Sequence, residues 1–326
     1  MQFNQAIKLA ALALPVALAA SPAPAAEDTF PDKPIRLVIG STPGSGPDIM
    51  SRLLAERLYK VWNQRVVVDS RAGVSGIVSA ETTLRANPDG YTWMMLTSQL
   101  FVATSVYPDL KFNLDKDFVS MALIGTVPFV QMVNNQLPVK SIQELIALAK
   151  KQPGKLRYGS AGTGASEHLS GVMFLRLTGT DMLHVPYKGV PQSIADTMAN
   201  EVQVTYAVVP AALPQVQAGR IRAIGVTSPK RSFALPDVPA IAEVVPGYSM
   251  LGWYSLVAPK GTPKAIIAKS VVEILKALKE PEYGVLLRTT GVDFVGGGPA
   301  ELDAWRRDQR KTISELVKAA GVTATQ

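Results

Sequence analysis

The chain has 326 residues, a formal net charge of +7 and no cysteine. Without cysteine, disulfide bridges, thiolate metal sites and cysteine nucleophiles are excluded, so a chain of this length relies on its apolar core for stability. The basic residues are scattered and form no stripe with aromatic residues, which argues against nucleic-acid binding and favours a mild attraction for anionic ligands.

Residues 1–25 have the pattern of a secretory signal peptide. Lys8 gives a weakly positive start, an apolar run covers residues 9–20, and Ala-Pro-Ala at 23–25 supplies the small residues of a cleavage site. The apolar run is too short to span a bilayer stably. We therefore expect the chain to be exported to a bacterial periplasm.

The first part of the mature chain alternates strand and helix patterns, as in an α/β protein. The patterns predict a short apolar strand at 35–39, an amphipathic helix at 48–62, a β-branched strand at 65–69 and a strand at 91–97. The run of three valines at 66–68 is typical of a strand that is buried on both faces.

The pattern restarts with an apolar run at 127–133. Ser141 and Glu144 then form a capping box that opens a helix ending at Lys151. The remaining predicted elements are a strand at 156–158, helices at 166–178 and 191–200, strands at 202–209, 221–227 and 253–258, and closing helices at 263–279 and about 300–319.

Two glycine-rich turns join a predicted strand to a predicted helix, one at residues 40–48 and one at 158–168. The start of a helix has unpaired backbone N–H groups and a partial positive charge, so both turns suit a carboxylate or a phosphate. Ligands of open α/β sheets bind at such strand ends, and small molecules concentrate in clefts between domains. Two such turns predict a small acidic ligand.

One alternative is an exported enzyme, such as a short-chain dehydrogenase. Gly40, Gly44 and Gly46 have the nicotinamide-binding spacing of that class, and Asp69 lies where a ribose-binding acid would be. Its catalytic pair requires Tyr-x-x-x-Lys on a helix, whereas residues 107–111 include a proline and an aspartate and predict a turn. No zinc spacing and no nucleophile elbow is present. The sequence therefore favours binding without catalytic residues, metal or cofactor.

Eight short motifs follow one another along the mature chain. They occupy residues 31–38, 43–48, 68–76, 88–92, 158–169, 184–189, 218–227 and 252–263. In this order they resemble the Bug family, the periplasmic solute receptors of tripartite tricarboxylate transporters. The resemblance implies a two-domain periplasmic-binding-protein (Venus flytrap) fold, in which each domain is a mixed sheet flanked by helices. It also implies a non-catalytic receptor, which we expect to be a monomer, that delivers a carboxylate to membrane permease subunits.

We assign residues 26–126 and 250–326 to the first domain and 127–249 to the second, with the ligand cleft between them. Known members hold carboxylates through two opposed loops, which correspond here to residues 43–48 and 160–168. The predicted ligand-binding residues are Pro43, Gly44, Ser45, Gly46, Pro47, Asp48, Ser98, Ser160, Gly162, Thr163, Gly164, Ser166, His168, Tyr187 and Ala207.

Three of these residues also have a structural interpretation. Asp48 could cap its helix instead of contacting the ligand, His168 could hold the glycine-rich loop, and Tyr187 could pack at the edge of the cleft. Ala207 is a departure, because many relatives have an aspartate there that could pair with a ligand ammonium group. With Val208 and Val209 beside it, the alanine predicts a dicarboxylate without an amine, for example one with an aromatic middle.

Overall fold

The computed structural model describes residues 29–321 apart from 108 and 290. The predicted signal peptide, residues 1–25, lies outside the described residues. Over the described part of the chain, every helix is too short or too polar to cross a membrane.

Strands and helices alternate, as predicted for an α/β protein. The strands are β1 (Ile35–Ile39), β2 (Val66–Ser70), β3 (Thr92–Thr97), β4 (Phe118–Val133), β5 (Arg157–Ser160), β6 (Leu183–Pro186), β7 (Val204–Val208), β8 (Arg222–Val226), β9 (Leu251–Pro259) and β10 (Asp293–Gly297). The helices are α1 (Gly46–Trp62), α2 (Ile77–Leu84), α3 (Ser98–Val106), α4 (Leu114–Asp117), α5 (Ile142–Lys151), α6 (Ser166–Thr178), α7 (Val190–Met198), α8 (Val209–Gln217), α9 (Lys264–Lys279), α10 (Pro281–Thr289) and α11 (Pro299–Ala319).

The strands form a mixed, curled sheet with two halves that share β4. In the first half, the parallel strands β2, β1 and β3 continue into antiparallel β9 and β4, and β10 pairs with β4. In the second half, β7 and β8 pair with residues 129–133 at the end of β4, and β5 and β6 extend from β7. The division into two domains at residues 127 and 249 stays a prediction.

Helices cover both faces of the sheet, which gives each half a core on both sides. Successive side chains of β3 point to opposite faces of the sheet. Met95 packs in the cluster of α1 and α9, whereas Met94 packs in the cluster of α3 and α11. In the second half, α5 and α6 cover one face and α7 and α8 the other. The sheet is thus rigidly supported up to the strand ends, where the loops begin.

Two expectations about strands are wrong. The β-branched run of β2 is not buried on both faces, because β2 is an edge strand and Val67 is 50% exposed. β-Branched residues fit any strand, so they indicated a strand without giving its position. The apolar run at 127–133 is only the end of β4, which begins at Phe118 and pairs with β9 over most of its length.

Candidate functional site

A cleft of about 320 Å³ lies where strands of both halves of the sheet end. β1, β3, β5, β6 and β7 all point their carboxyl ends toward it, and each is followed within a few residues by a segment that lines it. The lining residues are Gly40, Ser41, Ser45, Gly46, Pro47, Thr97, Ser98, Gln99, Val127, Phe129, Ala161, Ser166, Glu167, Lys188, Gly189, Val190, Val208, Gly252 and Tyr254. The volume suits a small metabolite.

Five helices begin at this cleft. Gly46, Ser98, Ser166 and Val190 are the first residues of α1, α3, α6 and α7, and Val208 directly precedes α8. The start of each helix carries unpaired N–H groups and a partial positive charge. The backbone alone therefore makes the cleft attractive to an anion.

The loop before α1 is held in shape by Asp48. Its carboxylate accepts a hydrogen bond from the Gly44 N–H at 2.9 Å and forms an ion pair with Arg52. The Arg52 guanidinium, which donates to this carboxylate, lowers the pKa of Asp48. Pro43, Gly44 and Asp48 do not line the cleft, whereas Ser45, Gly46 and Pro47 do. Asp48 does not cap the helix, because α1 begins at Gly46 with Ser45 as its N-cap residue; the Asp48 carboxylate instead ties the loop to the first turn of α1.

Gly46 lies directly against a cleft residue of β9. A Cβ atom at this position would be 2.7 Å from the hydroxyl oxygen of Tyr254. The close approach requires glycine and brings the phenol of Tyr254 to the start of α1.

The loop between β5 and α6 is held by two histidines. The buried Ser160 hydroxyl accepts from the Gly162 N–H at 3.1 Å and lies 2.7 Å from His184 Nε2. At the other end of the loop, the Gly164 N–H donates to His168 Nδ1 at 3.0 Å. Burial lowers the pKa of His168 to about 4, so its ring is neutral at pH 7. These contacts agree with the structural interpretation of His168.

Several predicted residues of the second half lie behind the cleft wall. Gly162, Gly164 and His168 hold the loop, and Tyr187 backs it by donating its backbone N–H to the Ser160 carbonyl. Ala207 is fully buried on β7 in the core beneath α7 and α8. Ser160, Gly162, Thr163, Gly164, His168, Tyr187 and Ala207 are therefore not among the residues that line the cleft, and direct ligand contact stays a prediction for them.

The first two residues of α6, Ser166 and Glu167, line the cleft. The Ser166 hydroxyl is buried and has no hydrogen-bond partner among the described residues. Glu167 is 8% exposed, and burial raises its pKa to about 7. The sequence does not mark Glu167 as a site residue, because a glutamate in the first turn of a helix is expected for dipole reasons alone. Nor does it mark Tyr254 and Phe129, whose place in the cleft depends on how the sheet curls.

A second, larger groove of about 1050 Å³ lies between the end of α3 and α11. Tyr107 and Lys111 line it, and none of the predicted ligand-binding residues does. Tyr107 directly follows α3 and Lys111 precedes α4, so neither residue of this Tyr-x-x-x-Lys motif lies in a helix, and both lie apart from the cleft. The described residues contain no group of three histidine, aspartate or glutamate side chains that could hold a metal ion.

The chain is similar to known proteins in sequence and in structure. A family profile described as "Tripartite tricarboxylate transporter family receptor" matches residues 50–322. Protein BugT of Bordetella pertussis is 30% identical over 321 residues, which cover 98% of this chain and 98% of BugT. The solved structure titled "R. palustris Rpa4515 with adipate" has a TM-score of 0.81 and 32% identity, covering 90% of this chain and 99% of that one. The periplasmic binding protein BugD has a TM-score of 0.77 and 29% identity, covering 91% and 100%.

Proposed function

The chain belongs to the tripartite tricarboxylate transporter receptor family, and we propose that it binds a small carboxylate in the periplasm and delivers it to the permease subunits of such a transporter. The predicted signal peptide supports the periplasmic location. The similarity to the periplasmic binding protein BugD points the same way.

The observation that carries this proposal is the convergence of five helix starts on one cleft. The partial positive charges of these helix starts are supplemented by hydroxyl groups of Ser41, Ser45, Ser98 and Ser166. Each hydrogen bond to a charged ligand contributes roughly 1.5–3 kcal/mol. A carboxylate is thus recognised by fixed donors.

The lining also suggests what joins the polar ends of the ligand. Val127, Phe129 and Val208 give the cleft apolar lining in addition to its hydroxyl groups. The related R. palustris protein has adipate bound, a dicarboxylate with an aliphatic middle. We propose that this receptor takes a dicarboxylate with an aliphatic or aromatic middle.

The two halves of the sheet are proposed to act as two domains that close on this ligand. β7 and β8 pair with β4 only from residue 129 onward, and β9 pairs with β4 up to Pro128. Bending of the sheet around this point would move the loop between β5 and α6 relative to the loop before α1. The predicted domain boundaries, residues 127 and 249, lie close to this point of β4 and β9.

A thermal-shift screen tests the function. A ligand that binds only the folded state raises the apparent Tm, by an amount that depends on its concentration and Kd. We expect adipate, glutarate or terephthalate to raise the Tm and NAD to leave it unchanged. A shift with NAD and with none of the carboxylates would contradict the proposal and favour the enzyme alternative.

A further inference from the structure

Glu167 is an acid in a cleft that is otherwise built for anions. It is the second residue of α6, and its side chain shares the cleft with Gly46 and Tyr254. Among the described residues that line the cleft, the charged side chains are Glu167 and Lys188, and Lys188 is exposed. A buried carboxyl group without a cation is costly in its ionised form.

The neighbours of Glu167 leave this charge uncompensated. The carboxyl group accepts a hydrogen bond from the backbone N–H of Glu167 itself, and no other described residue donates a hydrogen bond to this group. Tyr254 of β9 lines the same cleft, and burial raises the pKa of its hydroxyl to about 12, with a smaller contribution from the charge of Glu167. Burial raises the pKa of Glu167 itself to about 7.

The other titratable groups near the cleft are already engaged. On α1, Asp48 is paired with Arg52 and with the Gly44 N–H. On α6, His168 is neutral and stacks on His184, away from the cleft. Neither supplies a positive charge to Glu167, and Lys188, which follows β6, is open to solvent.

A ligand in the cleft would lie beside Glu167 and could be the partner of its carboxyl group. An ammonium group would suit the carboxylate, but it would have to lie among five helix starts, whose partial charges are positive. A carboxylate is attracted by those helix starts, and two carboxyl groups that share a site bind one proton between them.

We propose that Glu167 is a specificity-determining residue that shares one proton with a carboxylate group of the bound ligand. The proton comes from solvent and stays on the pair, with the carboxylic acid of one partner donating its O–H to the carboxylate oxygen of the other. This inference rests on the proposed function. It implies that binding a plain dicarboxylate takes up one proton at pH 8, and that affinity falls about tenfold per pH unit above pH 7.

Titration calorimetry in two buffers of different ionisation enthalpy measures this proton uptake. The probes are adipate, glutarate and terephthalate, with glutamate as the amine-bearing counterpart of glutarate. In wild type we expect close to one proton per ligand at pH 8. In Glu167→Gln, which keeps the shape of the side chain, we expect no uptake and a flat pH profile. Glu56→Gln makes the same change at an exposed position of α1 and should behave like wild type.

Binding of a plain carboxylate to wild type without proton uptake would overturn the inference and leave the proposed function intact. Equal proton uptake in Glu167→Gln, or tighter binding of glutamate than of glutarate, would also overturn it. If no carboxylate binds wild type at any pH, the proposed function fails and the inference with it. Proton uptake by the wild-type protein tests the inference even if the Glu167→Gln variant does not fold.

Discussion

His168 and His184 stack face to face, with ring centroids 3.7 Å apart and ring planes at 14°. They come from different elements, α6 and β6, and each contacts one end of the loop that links β5 to α6. Burial lowers the pKa of both rings, to about 4 for His168 and about 3 for His184. The loop beside the cleft is thus built on a pair of neutral rings.

The stability of the fold should fall in mildly acidic solution because of this pair. The ordinary histidine pKa is 6.5, so between pH 6.5 and about pH 4 the unfolded chain binds protons that the folded chain does not. The contribution is complete above pH 6.5 and is lost as the pH drops, by up to about 1.4 kcal/mol per pH unit for each histidine. Urea unfolding between pH 5 and 7 measures it. His184→Phe keeps a stacked ring and should reduce the slope, and an unchanged slope would contradict the assignment.

The two serines that flank the loop between β5 and α6 should respond differently to removal of their hydroxyl groups. Ser160→Ala leaves the Gly162 N–H and His184 Nε2 without their shared partner, so we expect the free energy of unfolding to fall by about 1–3 kcal/mol. The Ser166 hydroxyl has no partner in the described structure, so Ser166→Ala should change stability by less than about 0.5 kcal/mol. The affinity of the Ser166→Ala protein for a carboxylate should instead fall about tenfold to a hundredfold. Urea unfolding and calorimetry on both variants separate the structural role of Ser160 from the ligand-binding role of Ser166. A loss of stability in Ser166→Ala would contradict the ligand-binding role.

The contact between Gly46 and Tyr254 should tolerate no methyl group. In Gly46→Ala the new carbon would be 2.7 Å from the Tyr254 hydroxyl oxygen, and such overpacking typically costs about 1–3 kcal/mol. Tyr254→Phe removes the hydroxyl, so the double variant should regain most of the lost Tm. A double variant as unstable as Gly46→Ala would show that the strain lies elsewhere.

Arg306 should be needed to fix the last helix to the sheet. Its buried guanidinium donates to the Ser120 hydroxyl and the Leu114 carbonyl and pairs with Asp115. Arg306→Met removes the guanidinium donor from the buried Leu114 carbonyl and the Ser120 hydroxyl, so we expect a loss of about 1–3 kcal/mol in the free energy of unfolding. The exposed neighbour Arg307 provides the matched control, and Arg307→Met should be close to neutral.

The sequence predicted the elements with regular patterns and missed those without one. α6 has the predicted bounds, 166–178, because a glycine-rich start and an αL glycine at 179 mark both ends. α3 was missed, since it is buried on nearly all sides and its apolar residues therefore show no helical period. The length of β4 depends on its pairing with β9, a strand more than 100 residues further along, which no local pattern encodes.

The candidate site was predicted as two loops, and the structure shows which parts of them face the cleft. Glycine placement indicated a turn before a helix but could not tell the inner residues, such as Ser45 and Ser166, from those that hold the turn, such as Gly44 and His168. Glu167 and Tyr254 required the structure, because their role follows from an approach between α6, α1 and β9.

The place of β9 between β3 and β4 has a consequence for how the molecule assembles. β3 and β4 are successive strands in the chain, yet each pairs with β9 instead of with the other. The first half of the sheet therefore keeps a gap until residues 251–259 are available, and only then can its long-range contacts form. A nascent chain cannot complete this half early. We expect a fragment ending at residue 250 to lack the cooperative unfolding transition of the first half, so that this half stays unfolded until residues 251–259 have been made.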